Sequence, residues 1–503
     1  MKQFYAPLLE ALVNHARTAP VGFHVPGHRY GHAMMLDLNH SEKAFKPDQW
    51  YSAIMQLDVT ELSTTDDLHH PEASIMEAQR LAARTFGAEE TFFLIGGSTS
   101  GNIALLLTLC EPGDIIIVQR NVHKSIINGL KLAGAKAVFL SPQIEEHSGL
   151  AIIPALQQVE DALQLYPDAK AVFLSNPNYY GISTDLTSFA ELVHRHGKPL
   201  IVDEAHGAHY GFHPELPRSG LASGADAVVQ SAHKTLPTLT MGAMLHVQGP
   251  RIQRDLLRQS LAMIQSSSPS FPILASLDIS RAMIDTLGAK LFEQSLASAA
   301  SFRTWMELHS TAIRVMERPI RTANLHFVDP LRVVLYDNSG VLSGFELQRR
   351  LEEHGCFAEM ADPRYVVLVF GIQTSLKDTM KLQHAIKMIN EMAREQAKAA
   401  QNKQSTLNQT ILPGSAAMAV SEPVSFAREQ FKNKSSLRVE LGIAMQLLSA
   451  EMVTPYPPGI AILYPGEKIT TAIIKQIQFL SASGAKFQGA TDPTMSTIAV
   501  YSS

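Results

Sequence analysis

Cysteine is scarce in this sequence: two in 503 residues, Cys110 and Cys356, far apart and without CxxC spacing. That argues against a disulfide framework and a thiolate metal site, and it fits a reducing cytosol. Excess charge of one sign is also missing. Lys and Arg number 42 against 47 Asp and Glu, a formal net charge of −5, with no long basic run. Nucleic acid and anionic membrane therefore find no electrostatic footprint. No apolar run reaches the roughly 20 residues of a membrane span. The amphipathic start MKQFYAPLLEALVNHARTAP lacks the apolar centre of a signal peptide. Absent too are GxGxxG, a Walker Gly-Lys-Ser/Thr and HExxH, and no internal repeat is seen.

What is present is a globular composition, 46% apolar and 18% charged, in a chain long enough for two to four domains. From about residue 74 to 247, short apolar runs alternate with segments of helical length. The strand candidates are Thr91–Ile95, Ile115–Val118, Ala137–Leu140, Ala171–Leu174, Leu200–Val202 and Ala227–Val229. Helical segments such as Asn102–Leu109 and Leu186–His196 lie between them. Strands this continuously apolar need cover on both faces, as in a parallel α/β sheet. A helical stretch over about Ala275–His309 follows. A second unit of βαβ type comes next: RVVLY, GFELQRRLEEHG, YVVLVF. Polarity rises over MAREQAKAAQNKQSTLNQT, a helix end and linker. A last unit, about 411–503, carries TPYPPGIAILYPGE, too rich in Pro and Gly for a helix.

Ligands of open parallel sheets sit beyond the carboxyl ends of the strands. The residues just past each apolar run are therefore informative. They are Gly96-Gly97-Ser98-Thr99-Ser100-Gly101-Asn102, then His123, Ser175-Asn176-Pro177, Asp203, and finally Gln230-Ser231-Ala232-His233-Lys234. GGSTSGN suits an anion at a helix N-terminus, although alone it could be an ordinary capped turn. Asp203 closes a buried strand, where a carboxylate needs a cationic or hydrogen-bonding partner; an N-cap or structural ion pair would also serve. His123 is either a partly buried structural histidine or a flat ring stacked on a ligand. Lys234 lies among small, hydroxyl and apolar residues, where burial can prepare an amine nucleophile. Together these parts describe a pyridoxal phosphate site: phosphate loop, carboxylate for a pyridinium, aromatic stacker and Schiff-base lysine. Histidine clusters fit a metal poorly. His206, His209 and His213 are separated by Gly207 and Gly211, and His24, His28 and His32 by Pro26 and Gly27. No metal is expected.

The motifs SAHKTL, DEAHGAH, NVHKSIINGL, FHVPGHRYG, TELSTTDDLHHP and TPYPPGIAILYPGE resemble the bacterial ornithine/lysine/arginine decarboxylases. The resemblance covers nearly the whole chain. It is to the short branch, with no wing domain before FHVPGH. Two departures stand out: Ala461, where many relatives carry proline, and His206, where the large inducible enzymes carry tryptophan.

The resemblance implies an α/β, fold-type I enzyme, aspartate aminotransferase-like. Its large domain holds a mostly parallel sheet, followed by a smaller α+β domain and a C-terminal α+β domain. The boundaries expected are an N-terminal arm 1–60, a cofactor-binding domain 61–290, a small domain 291–400, and linker plus C-terminal domain 401–503. It also implies pyridoxal 5'-phosphate bound to Lys234. Ser98, Thr99, Ser100, Ser231 and His233 would lie at its phosphate. His123 would stack on its ring, Asp203 would pair with the ring nitrogen, and His206 would lie nearby. Lys234 or His233 would return the proton after carbon dioxide leaves. A cytoplasmic homodimer or larger homo-oligomer with shared sites is implied, in which Ser267 or Ser268 of SSSPSF reaches the neighbouring cofactor. The substrate would be a basic amino acid, lysine or arginine ahead of ornithine, and the amine product would feed polyamine synthesis. A desolvated cationic side chain needs a distal acid, for which Asp66, Asp67 and Glu451 are candidates. An aminotransferase, a carbon–carbon lyase or a non-catalytic cofactor-binding protein would share Lys234 and Asp203. Only DDLHHP and the YPPG…PGE segment separate them here.

Overall fold

The computed structural model describes residues 3–35, 48–317, 326–400, 419–426, 434–456 and 459–502. The apolar runs become the interior of its largest sheet. In spatial order the strands are Glu90–Leu94, Ala243–Val247, Ala227–Gln230, Leu200–Asp203, Val172–Ser175, Ile115–Gln119, Lys136–Leu140 and Val424–Ser425. The five strands from Ala227–Gln230 to Lys136–Leu140 run parallel. Glu90–Leu94, Ala243–Val247 and Val424–Ser425 pair antiparallel at the flanks. Helices cover both faces, as parallel strands require. Leu105, Val118 and Ile126 belong to the core on one face, and Val138, Val159 and Val202 to the core on the other.

The helix Gly97–Leu109 begins five residues before the expected Asn102. Its small residues therefore form a first turn and a half rather than a loop. Gly101 is needed for packing: a Cβ there would come within 2.8 Å of Leu94 and 3.0 Å of Val229. A bulkier residue would lift the helix off the sheet and move its N-terminus.

The stretch expected as one helix over 275–309 is two, Phe271–Leu287 and Lys290–His309. Gly288, at φ +55, separates them. The first anchors the N-terminal helix Pro7–Arg17. Asp278 accepts the Leu8 amide (2.9 Å) and Arg281 donates to the Tyr5 carbonyl (2.8 Å).

The βαβ expectation for the next unit is corrected. Arg332–Asp337 and Tyr365–Val369 pair antiparallel, in a sheet ordered Met360–Ala361, Tyr365–Val369, Arg332–Asp337, Ile313–Val315. The cause is a turn at 362–364. The chain leaves the helix Gly344–Glu353, forms the short strand Met360–Ala361, and reverses before Tyr365.

The helix Leu376–Ala400 accounts for the start of the polar stretch; 401–418 lies outside the described residues. The C-terminal unit pairs Ser436–Glu440 with Thr497–Tyr501 and carries the helix Thr471–Ala482. It docks on the large sheet through Arg120. That guanidinium lies 4.0 Å from the Tyr464 ring centre, pairs with Glu467 (3.0 Å) and donates to the Ala461 carbonyl (3.1 Å). Among the described residues, no helix is long and apolar enough to cross a membrane.

Candidate active site

Parallel register carries the strand ends to one edge. Ser175 pairs with Asp203 across neighbouring strands, and Gln119 Oε1 accepts the Ser175 amide (3.1 Å). Past the strand Ala227–Gln230, one helical turn, Ala232–Thr235, presents Lys234. His233 fixes that turn, since its amide (3.1 Å) and its Nδ1 (3.0 Å) both meet the Gly242 carbonyl. A carbonyl only accepts, so Nδ1 carries the proton and Nε2 is left with a lone pair. Burial lowers the His233 pKa.

Lys234 Nζ lies 2.9 Å from His206 Nε2, and Arg332 Nη2 lies 3.0 Å from His206 Nδ1. Arginine only donates, so Nδ1 must accept. The imidazole proton then sits on Nε2 and points at Lys234. Lys234 can receive it only as a neutral amine. Burial pushes both groups the same way, His206 well below its ordinary value and Lys234 below its own; Asp203 pulls Lys234 partly back. A neutral lysine amine is a nucleophile.

Asp203 is buried and held from two sides. Asn102 Nδ2 donates to Oδ2 (2.9 Å) and the Ala205 amide to Oδ1 (3.1 Å). Asn102 Nδ2 also reaches Ser125 Oγ (3.0 Å), so the helix Gly97–Leu109 and the helix Lys124–Ala133 both brace the carboxylate. The adjacent Glu204 faces the other side of the sheet, where Gln230 and the Gly220 amide donate to it. Burial outweighs those donors and raises it to about 8. Of these two carboxylates, Asp203 is the one that lines the cavity. His123 caps the helix Lys124–Ala133 by accepting the Ser125 amide at Nδ1 (3.2 Å), which fixes its ring. Burial lowers it to about 4, so the ring is neutral.

Ser98, His123, Asp203, His206 and Lys234 all line one cavity of about 230 Å³. Ser231 stands behind Ser98 and donates to it (2.9 Å) at the N-terminus of the helix Gly97–Leu109. The C-terminal unit closes the far wall with Pro455, Ile460, Ile462, Gln476, Phe479 and Leu480. Ile460 forms a β-bridge to His123. Pro457 and Pro458 of the TPYPPG segment lie outside the described residues.

Other expected residues do not line this cavity. Thr99 is exposed, and Ser100 donates back to the Gly97 carbonyl (2.8 Å). Ser267 and Ser268 are exposed and do not line this cavity. Asp67 accepts the His69 amide (2.7 Å), and Glu451 accepts the Ala499 amide (2.7 Å). Of the histidines weighed as metal ligands, His209 pairs with Asp329 (2.9 Å) and His28 with Asp58 (3.1 Å).

Asp66 accepts amides from Asp67, Glu72, Ala73, Ile75 and Met76, and so caps the helix Ser74–Phe86 from a distance. Burial pushes this acid up, but the amides outweigh burial and hold it below the ordinary range. A depressed carboxylate adds stability above its unfolded pKa and loses it as pH falls through the folded one. Asp66→Ala is expected to cost about 1–2 kcal/mol of stability. Denaturant unfolding at neutral pH checks this, and the deficit should shrink in acid.

Sequence reasoning missed Arg332, Tyr179 and Tyr180. Arg332 opens a strand, where only the register shows which way it projects. Tyr179 packs 4.8 Å from the His206 ring; its signal was Asn178-Tyr179-Tyr180, directly after Ser175-Asn176-Pro177.

A mostly parallel sheet with lysine, carboxylate and helix N-terminus gathered at its carboxyl edge defines an α/β enzyme of the fold-type I class. Residues 6–378 match the Orn/Lys/Arg decarboxylase major domain and residues 390–494 its C-terminal domain. The chain belongs to this family of pyridoxal-phosphate-dependent basic amino acid decarboxylases. It is 37% identical to YaaO of Bacillus subtilis, an uncharacterized protein, over 96% of each chain. It is 32% identical to the arginine decarboxylase of Bacillus subtilis, over 99% of this chain and 98% of that one. The crystal structure of the Francisella novicida lysine decarboxylase shares the fold, with TM-score 0.81 at 18% identity. That match covers 99% of this chain and 81% of that one.

Proposed function

We propose that the protein decarboxylates a basic amino acid, arginine first, with pyridoxal phosphate held at Lys234. The observation that carries this reading is the Arg332–His206–Lys234 chain, which directs the His206 proton at the lysine amine beside Asp203 and His123. The full-length relative named arginine decarboxylase supports the choice of substrate.

The residues fit the cofactor. Ser98 and Ser231 at a helix N-terminus suit its phosphate, and Asp203 suits a cationic ring nitrogen. Two buried polar atoms here, Ser175 Oγ and Asn102 Oδ1, have no partner among the described residues. When bound, pyridoxal phosphate supplies an aldehyde that condenses with amines and a ring that takes up the electron pair left by carbon dioxide.

The chain's own residues do the rest. Lys234 offers its lone pair, with the His206 proton directed at it. Asp203 holds negative charge at the cavity floor, fixed there by Asn102 and Ala205. His123 offers a flat, neutral face. His233 Nε2 has a lone pair with which to hold a proton. A homodimer, in which Ser267 and Ser268 serve the neighbouring site, agrees with their exposure outside this chain's cavity.

The test is carbon dioxide release from arginine, lysine, ornithine and neutral norleucine. Arginine should exceed norleucine by at least about 10²-fold in kcat/KM. Equal turnover of norleucine would contradict the choice of a basic substrate.

A further inference from the structure

Two carboxylates line the cavity among the described residues, Asp203 and Asp362. Asp203 belongs to the floor, with Lys234. Asp362 is 9% exposed and sits in the turn that reverses the smaller sheet. Its Oδ1 is fixed by the amides of Arg364 and Tyr365, both at 2.6 Å. Its Oδ2 accepts the Tyr180 hydroxyl, from the loop after the strand Val172–Ser175. Gly344 lets this turn sit close: a Cβ there would come within 2.2 Å of the Asp362 carbonyl.

The backbone therefore aims one carboxylate oxygen at a neutral donor on the cavity wall. Burial raises this acid and, further, the Tyr180 phenol. The neighbouring wall is aromatic, from Tyr179, Tyr180, Phe345, Tyr365 and Phe479. Ring faces attract cations. Arg364 also lines the cavity; it is exposed, and its guanidinium is held over the Tyr365 ring at 5.1 Å and the Tyr336 ring at 5.6 Å. None of Asp66, Asp67 and Glu451 lines this chain's cavity.

We propose that Asp362 receives the distal cation of the substrate side chain in place of the Tyr180 hydroxyl, and so sets the preference for basic over neutral side chains. This rests on the decarboxylase reading for its substrate. It concerns binding, however, and is testable without turnover.

The experiment uses holoenzyme and two inhibitors, cadaverine and n-pentylamine, which share an amine and differ in the distal charge. Binding is followed by the change in the cofactor's visible absorbance. Wild type should bind cadaverine the tighter. Asp362→Asn keeps an oxygen for the two amides. It should lose at least about 10-fold of that preference while n-pentylamine affinity stays within a few-fold. Tyr180→Phe removes the competing donor and should keep or sharpen the preference. If Asp362→Asn does not load cofactor, Tyr180→Phe decides alone, because loss of preference there contradicts the proposal. Unchanged preference in Asp362→Asn, or equal losses for both amines in both variants, would reduce Asp362 to a tie between sheets. A wild type that prefers cadaverine but releases no carbon dioxide from any basic amino acid would refute the decarboxylase reading and leave Asp362 standing.

Discussion

Lys234→Ala is expected to lose more than about 10³-fold in decarboxylation, because it removes the amine we propose to hold the cofactor's aldehyde. No neighbour can substitute. Among the described residues, Lys234 is the lysine lining the cavity, and its amine faces His206, itself fixed by Arg332. In wild type, borohydride should fix the cofactor to the peptide that contains Lys234. In the variant, the visible band of covalently held cofactor should vanish while the fold survives, as circular dichroism would show. Activity within 10-fold of wild type, or labelling of another lysine, would contradict the role given to this residue.

Asp203→Asn should retain cofactor yet lose about 10²–10³-fold in kcat, the scale at which a preorganised charge acts on developing charge. The two side chains have the same shape, and the Ala205 amide can still donate to the remaining oxygen. What disappears is the negative charge at the cavity floor. Glu204 cannot replace it: this acid faces the other side of the sheet, and burial raises it to about 8. Comparing kcat with cofactor affinity separates the outcomes. Near-wild-type kcat would make Asp203 structural. Loss of cofactor with unchanged specific activity of the loaded fraction would make it a binding group only.

The large sheet was legible because its buried strands are continuous apolar runs. Each expected strand from Thr91–Ile95 to Ala227–Val229 lies within one or two residues of an observed one. The edge of chemistry followed, since parallel strands end on the same side. Ser98, His123, Asp203, His206 and Lys234 do meet at one cavity.

What escaped notice depended on direction rather than type. The strand Ala243–Val247 went unread because it follows the Lys234 segment without a helix, and it runs antiparallel. Periodicity alone gave RVVLY and YVVLVF as strands, but their relative direction is set by the turn at 362–364. Arg332 and Asp362 sit in that same unit. One is hidden in a strand and the other in a turn, and tertiary placement alone brings them to the site. Asp66 shows the opposite case. An acid in a polar motif looked available for a substrate, whereas its oxygens are taken by backbone amides at a helix start.

The most direct measurement of the central claim is the carbon balance of the purified holoenzyme with arginine as sole substrate. One agmatine and one carbon dioxide should appear for each arginine consumed, with no keto acid. A keto acid formed in place of agmatine would contradict decarboxylation and leave an aminotransferase built on the same lysine and carboxylate.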